Sequence, residues 1–419
     1  MDELSASVSP EAAARDRRAR IAVAGAYFVQ GFCFAGLLTQ VASLQKRFGF
    51  DDTQLSLVLL AVPVVAGVGS VVAGLLTTRF GSSPVLRAGG PGVALAITVT
   101  GFAAERWQLY LALAFVGLML GLVDATMNMQ GVGVERRYGR PVLNSFHAVW
   151  SAGAILGALA TSGTAHLGWS IGASLATVAV VGAILALIAG PGQLRKAEEA
   201  QEIPAATVAA AEATIPWRPI ILIGIAMMLM FIADSAVSNW SSVFIEKALH
   251  ASTAVAALGL AAYQATMLVG RTAGDRIVSR FSPTMVVSVG GVVGGLGLIL
   301  VAASTTPALS IAGFAVVGLG LSLVVPQSFS AAGRLDPAGT GIAIARVNLF
   351  NYVGFVVGAG LIGAVAESLS LRWAFVVPAL LAAGIVVLSP SFRTHAPEPA
   401  ATPATPATPA TPATPEAAS

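Results

Sequence analysis

The sequence predicts an all-α membrane protein of twelve transmembrane helices in two parallel six-helix pseudo-repeats. Three observations predict it. Of 419 residues, 56% are hydrophobic and only 10% charged, where a soluble domain carries about 25% charged residues. Apolar runs long enough to cross roughly 30 Å of hydrocarbon, about 20 residues each, recur twelve times along the chain. Shifted by 201 residues, the second half aligns on the first without gaps from the first helix through most of the fifth.

In chain order the expected spans are 20–43, 54–78, 84–103, 108–134, 141–163, 168–190, 218–246, 254–277, 283–303, 307–331, 340–365 and 371–391. Residues 1–19 form a cytoplasmic N-terminal segment, 20–190 the first six-helix half and 218–391 the second. The first apolar run is too long for a signal sequence and has no cleavage site, so it is expected to remain as helix one. Between the halves, 191–217 reads as a cytoplasmic linker carrying Glu198, Glu199, Glu202 and Glu212. The tail, 392–419, repeats Ala-Thr-Pro, whose prolines and lack of large apolar residues favour a solvated, disordered chain.

Charge sets the orientation. With the N-terminus inside, eighteen of the 23 Lys and Arg fall on the cytoplasmic side, and only Lys46, Arg47, Arg106, Lys247 and Arg372 fall outside. That satisfies the positive-inside rule for an inner-membrane protein with both termini cytoplasmic. Trp107, Trp169, Trp217 and Trp373 stand at span ends, where amphipathic rings prefer the interface. A net charge of +3 is too small to imply nucleic acid. Cys33 is the only cysteine, so an intramolecular disulfide and a metal constellation are both excluded. No phosphate loop is present, so no nucleotide cofactor is expected. No paired nucleophile and base points to an enzyme.

The repeat is carried by loops and glycines. Lys46 meets Lys247, Gly69 meets Gly270, Arg79-Phe80 meets Arg280-Phe281, Gly153 meets Gly354 and Gly157 meets Gly358. Because each half has an even number of spans, both insert in the same orientation and enclose a site near the midplane.

The chain resembles the major facilitator superfamily over all twelve spans. The family's loop signature, G-x-x-x-D-R-x-G, appears in degenerate form as Gly74 to Gly81, with Thr78 in place of the acid, while the second half keeps Asp275-Arg276. The stretch from Asp124 through Asn128 and Glu135 to Gly153 resembles bacterial porters of the YbjJ type, similar to the fucose:proton symporter group. In that group an acid in helix four, with an asparagine four residues later, lies in the sugar and proton site, which Asp124 and Asn128 match. The group's carboxylate in helix one has no counterpart between Gln30 and Gln40.

A carboxylate at the centre of a lipid-spanning helix costs about 2.5–3.5 kcal/mol, which makes an embedded acid a functional candidate. Asp124 in helix four and Asp234 in helix seven are the two, on helices that the resemblance points at a central cavity. Asp124 is the expected proton carrier. His147 is the only histidine inside a span and shares a face of helix five with Asn144 and Ser151. A relay between it and Asp124 and a purely packed role are both open.

Solute contacts are expected from amides and rings, which suit a polyhydroxylated or amphipathic compound. In the first half these are Gln30, Gln40, Asn128 and Trp150; in the second, Asn239, Trp240, Tyr263, Gln264, Gln327, Asn348, Asn351 and Tyr352. At the cytoplasmic ends, Glu135 aligns with Asp336 and Arg79 with Arg280. Together with Asp275 and Arg276 these residues are expected to gate the site, each loop arginine clasping an acidic helix end.

The expected function is secondary transport of a small solute by a monomer in the lipid bilayer, as proton symport of a sugar or related metabolite. Proton-coupled efflux of an amphipathic compound and a non-transporting membrane sensor are the alternatives.

Overall fold

The computed structural model describes residues 9–199, 215–336 and 338–393. Within it, twelve helices are long and apolar enough to cross a membrane. The first half holds Pro10–Thr39, Leu57–Phe80, Ser82–Phe102, Arg106–Tyr138, Leu143–His166 and Ile171–Gly192. The second holds Trp217–Ala248, Thr253–Arg280, Pro283–Ala303, Pro307–Arg334, Ile342–Ser368 and Trp373–Phe392. One end of the bundle carries the linker between the halves and is the linker end; the opposite one is the far end. Residues 1–8, most of the linker with Glu202 and Glu212, and the tail from 394 lie outside the described residues.

Elements depart from the sequence pattern at three places. The first helix begins ten residues earlier than its apolar run, because Ser9 caps it and its polar first turns form a stem beyond the membrane. A separate short helix, Val41–Phe48, follows at the far end. Its Arg47 donates to the Gly101 carbonyl at 3.1 Å. The tenth span is broken at Ser322–Leu323 into Pro307–Leu321 and Val324–Arg334.

The duplication shows in the packing. Hydrophobic burial does not drive helices together in lipid, so close backbone approach must. A Cβ at Gly153 or Gly157 would collide with the carbonyl oxygens of Phe28 and Phe32 on the first span. At the equivalent Gly354 and Gly358 it would lie 2.6 Å from the Met228 oxygen and 2.9 Å from Ile232 Cα on the seventh. The first, fourth, seventh and tenth spans are the most enclosed by protein, so polar side chains along them face the interior. The halves meet where the second span packs on the eleventh and the fifth on the eighth. Trp107, Trp169, Trp217 and Trp373 all lie half-exposed at span ends.

Candidate functional site

Asp124 projects from the fourth span toward the eleventh. Its Oδ2 accepts a hydrogen bond from the Tyr352 hydroxyl at 3.0 Å and from Asn351 Nδ2 at 3.3 Å. One turn toward the linker end, Asn348 Nδ2 donates to Ser70 Oγ at 3.1 Å, and Ser70 Oγ donates to the Ala345 carbonyl at 3.3 Å. All of these bonds join one half to the other. Asn128, one turn along the fourth span, does not bond the Asp124 carboxylate. Its Nδ2 donates to the Asp124 backbone oxygen at 2.8 Å, and its Oδ1 accepts from the Tyr27 hydroxyl at 2.7 Å.

Asp234 has a different setting. Its Oδ1 accepts from the Tyr263 hydroxyl at 2.5 Å, between the seventh and eighth spans of the same half. On the eighth span, Tyr263, Met267 and Arg271 stand at intervals of four, hence on one face, and all three are buried. Arg271 Nη1 donates to Ser151 Oγ at 2.9 Å on the fifth span, across the interface. The Ser151 hydroxyl in turn donates to the His147 carbonyl at 3.1 Å.

His147 is enclosed by rings: Tyr27 edge-on at 5.2 Å between centroids, and Phe329 stacked at 6.1 Å. Its Nε2 reaches no protein partner. Of the two roles open for His147, the relay contact to Asp124 is not formed here: Tyr352 and Asn351 bond the carboxylate and aromatic rings flank the imidazole. One turn further along the fifth span, Trp150 Nε1 donates to Gln30 Oε1 on the first.

At the linker end a set of capped helix termini ties the halves together. A helix N-terminus presents unpaired N–H groups and partial positive charge, which carboxylates satisfy. The fifth span starts between two of them. Glu135, from its own half, accepts from the Val142 and Leu143 amides at 3.0 Å each, and from Ser330 of the other half at 2.5 Å. Asp275, from the other half, accepts from the Asn144 and Ser145 amides at 3.1 and 3.3 Å and from Asn144 Nδ2 at 3.0 Å. Asp336 caps the eleventh span through the Thr340 and Gly341 amides, at 3.1 and 2.7 Å.

This replaces the expected arginine clasps. Arg79 lies exposed over the Phe80 ring, and Arg276 and Arg280 are exposed. Glu135 and Asp336 are already filled by backbone donors, so the loop arginines have nothing to grip there. Arg136 crosses instead, donating to the Gly333 and Asp336 carbonyls, the latter at 2.6 Å.

The described start of the linker is pinned to the first half. Gln130 Oε1 accepts from the Leu194 amide at 2.8 Å, and its Nε2 donates to Glu199 at 3.0 Å. Glu199 is buried at the start of the third span, where it accepts from the Ser82 amide at 3.2 Å. Burial pushes its carboxyl above the ordinary value, partly offset by bonds from Ser82. Glu198, paired with Arg15 at 2.7 Å, is held below its ordinary value by that guanidinium.

The expected solute contacts do not all converge. Asn348, Asn351 and Tyr352 gather around Asp124, Gln30 and Trp150 meet, and Tyr263 meets Asp234. Gln40 caps the first span at the far end, about a membrane leaflet's reach beyond Gln30 at 1.5 Å per residue. Gln327 lies 3.5 Å from Asn144 in the linker-end contact. Asn239 donates to Ser235 of its own helix at 2.9 Å, Trp240 is half-buried and Gln264 exposed. The sequence pattern does not single out Tyr27, Ser70, Ser151, Arg136 or Arg271 as site residues. Arg271 has a legible signal all the same: nine residues before the end of its span, it is too deep to be a membrane-edge charge.

Two parallel six-span halves, with polar groups meeting at mid-depth between them, give the architecture of a secondary membrane transporter. The Major Facilitator Superfamily profile matches residues 23–340 and 223–417, and the chain belongs to that family. It is 31% identical over 360 residues to an uncharacterized MFS-type transporter of Yersinia pestis, covering 85% of this chain and 91% of that one. It is also 25% identical to the membrane protein MosC of Rhizobium meliloti, over 90% and 92% of the two chains. Among solved structures, FucP in the outward conformation superposes with a TM-score of 0.72 at 14% identity, over 90% of this chain and 99% of FucP. The human organic anion transporter MFSD10 does so with 0.74 at 13%, over 89% and 99%. At those identities the likeness is one of fold.

Proposed function

We propose that the chain is a proton-coupled secondary transporter that carries a small, sugar-like solute across the cytoplasmic membrane, with Asp124 as the proton carrier. The observation that carries this reading is that Asn351 and Tyr352, the two donors on the Asp124 carboxylate, stand on the opposite half of the molecule. Hydrogen bonds to a charged group contribute about 1.5–3 kcal/mol each, against roughly 0.5–1.5 for neutral ones. Neutralising Asp124 therefore weakens the attachment between the halves by about 1–3 kcal/mol, and each 1.4 kcal/mol is a tenfold shift between two conformations. A proton arriving from one side thus favours the state that releases it on the other.

The positive-inside count supports placing the linker end in the cytoplasm, so this conformation is closed inward. The solute site lies between Asp124, Trp150, Gln30 and the Asp234–Tyr263 pair, within one chain, which supports a monomer as the working unit. The match of Asp124 and Asn128 to the acid and asparagine of the fucose:proton symporter group supports symport over export. The test is uptake of radiolabelled hexoses and related polyols into proteoliposomes with and without an inwardly directed proton gradient. Accumulation that requires the gradient in the wild type, with only downhill equilibration in Asp124→Asn, is expected. Gradient-driven accumulation that survives Asp124→Asn would remove Asp124 from this role.

A further inference from the structure

Arg271 stands on the eighth span's inward face, in the stripe Tyr263, Met267, Arg271, Asp275, two turns beyond Tyr263 and one turn before Asp275, whose carboxylate is held by the fifth span's N-terminal amides. Arg271 is 7% exposed, and the hydrogen bond described for its guanidinium is the single one to Ser151. A guanidinium has five donors in a fixed fork, and here Nε reaches no protein group. Among the described residues, the two ion pairs are Arg15–Glu198 and Arg137–Asp16. Asp234 lies near enough to act on Arg271 electrostatically, but no ion pair forms between them, and its Oδ1 accepts from Tyr263 instead. A cation at this depth costs about 2.5–3.5 kcal/mol and calls for a partner.

A second unpartnered nitrogen stands on the facing fifth span. His147 is also 7% exposed with Nε2 unpartnered, and its own carbonyl accepts from the serine that Arg271 grips. The two groups thus border the same turn of the fifth span, walled by Tyr27 on the first span and Phe329 on the tenth. An unfilled, permanently charged guanidinium donor and an unpartnered imidazole nitrogen, the latter between flat apolar rings, match a planar carboxylate, which a guanidinium binds through parallel bonds.

We propose that Arg271 and His147 receive an acidic group on the solute, so that the transported compound is an organic anion such as a sugar acid. The inference rests on the transporter reading above and narrows its substrate class. The solute's carboxylate takes the unfilled Arg271 donors, beside the Ser151 bond that joins the two halves, so the anion sits at the seam between them.

The experiment is a thermal-shift titration of the detergent-purified full chain. The probes are D-gluconate, D-glucuronate, shikimate and benzoate, set against the neutral D-glucose, myo-inositol and benzyl alcohol. At least one carboxylate should stabilise the wild type, with its neutral counterpart inert. Arg271→Gln should weaken that binding by about tenfold or more, and Arg271→Lys by less, since a point charge remains. His147→Phe keeps the ring stack and removes Nε2, so it serves if Arg271→Gln fails to fold; it should weaken the carboxylate several-fold, roughly half a tenfold step in free energy. No stabilisation by any carboxylate, or unchanged affinity in these variants, would overturn the inference. Neutral-sugar uptake that persists in Arg271→Gln would overturn it while leaving the transporter reading standing, whereas gradient-independent flux in the wild type strikes that reading instead.

Discussion

Asp124 and Asp234 are both embedded near the middle of a core span, and each accepts a tyrosine hydroxyl. The tyrosine on Asp124 belongs to the other half, and the one on Asp234 to its own. The location of the partner decides what ionisation can do. A carboxylate held from across an interface changes the strength of that interface when it gains a proton. One held by its neighbour in the same half changes only local order. On the proposed reading, Asp124 couples proton binding to rocking of the halves, and Asp234 braces the seventh span against the eighth.

The contrast can be broken in several ways. The largest effect is expected from Asp124→Asn, which should reduce gradient-driven accumulation by about a hundredfold while exchange across the membrane falls only a few-fold; the two are read side by side in one proteoliposome preparation. Asp234→Asn should slow transport by about tenfold yet keep its dependence on the proton gradient. Should the two variants lose coupling equally, the distinction between cross-half and same-half partners fails.

The packing that aligns these groups gives the next prediction. Gly157→Ala forces the first and fifth spans apart, and overpacking of this kind costs about 1–3 kcal/mol. Gly360 has open space around its would-be Cβ, so Gly360→Ala should stabilise by up to about 1 kcal/mol, since glycine in a helix loses more freedom than alanine. Melting temperatures in one detergent should therefore move in opposite directions.

The smallest effect lies at the linker. Burial raises the Glu199 carboxyl, so the docked linker favours its protonated form. Stability from docking is then full below the ordinary carboxyl value of 4.5 and is lost as pH rises through the raised one. Glu199→Gln should remove this slope, so its melting temperature relative to wild type should climb by about a degree or two between mildly acidic and neutral pH.

The twelve spans and the duplication were legible because lipid imposes a simple length and composition rule, and because Gly153, Gly157, Gly354 and Gly358 are needed wherever backbones touch. Asp124 was legible for the same reason, since an acid in oil stands out. Its partners were not, because residues 227 and 228 positions away are brought to it by tertiary packing alone. The arginine clasps failed because matching positions in a repeat says which residues correspond, and not which donors reach them first; backbone amides of the fifth and eleventh spans lay closer to Glu135, Asp275 and Asp336. Arg271 was absorbed into a count of charges by side, which discards depth.

The most direct measurement is the separation of the two halves at the linker end as a function of pH. Spin labels at the exposed positions Arg140 and Arg280 report it by double electron–electron resonance in lipid nanodiscs. As pH falls from about 8 to about 5, the wild-type distribution should shift toward longer distances. Asp124→Asn should show the long population at both pH values and Asp234→Asn should follow the wild type. A distribution in the wild type that ignores pH, or one in Asp124→Asn that still responds to it, would contradict the account.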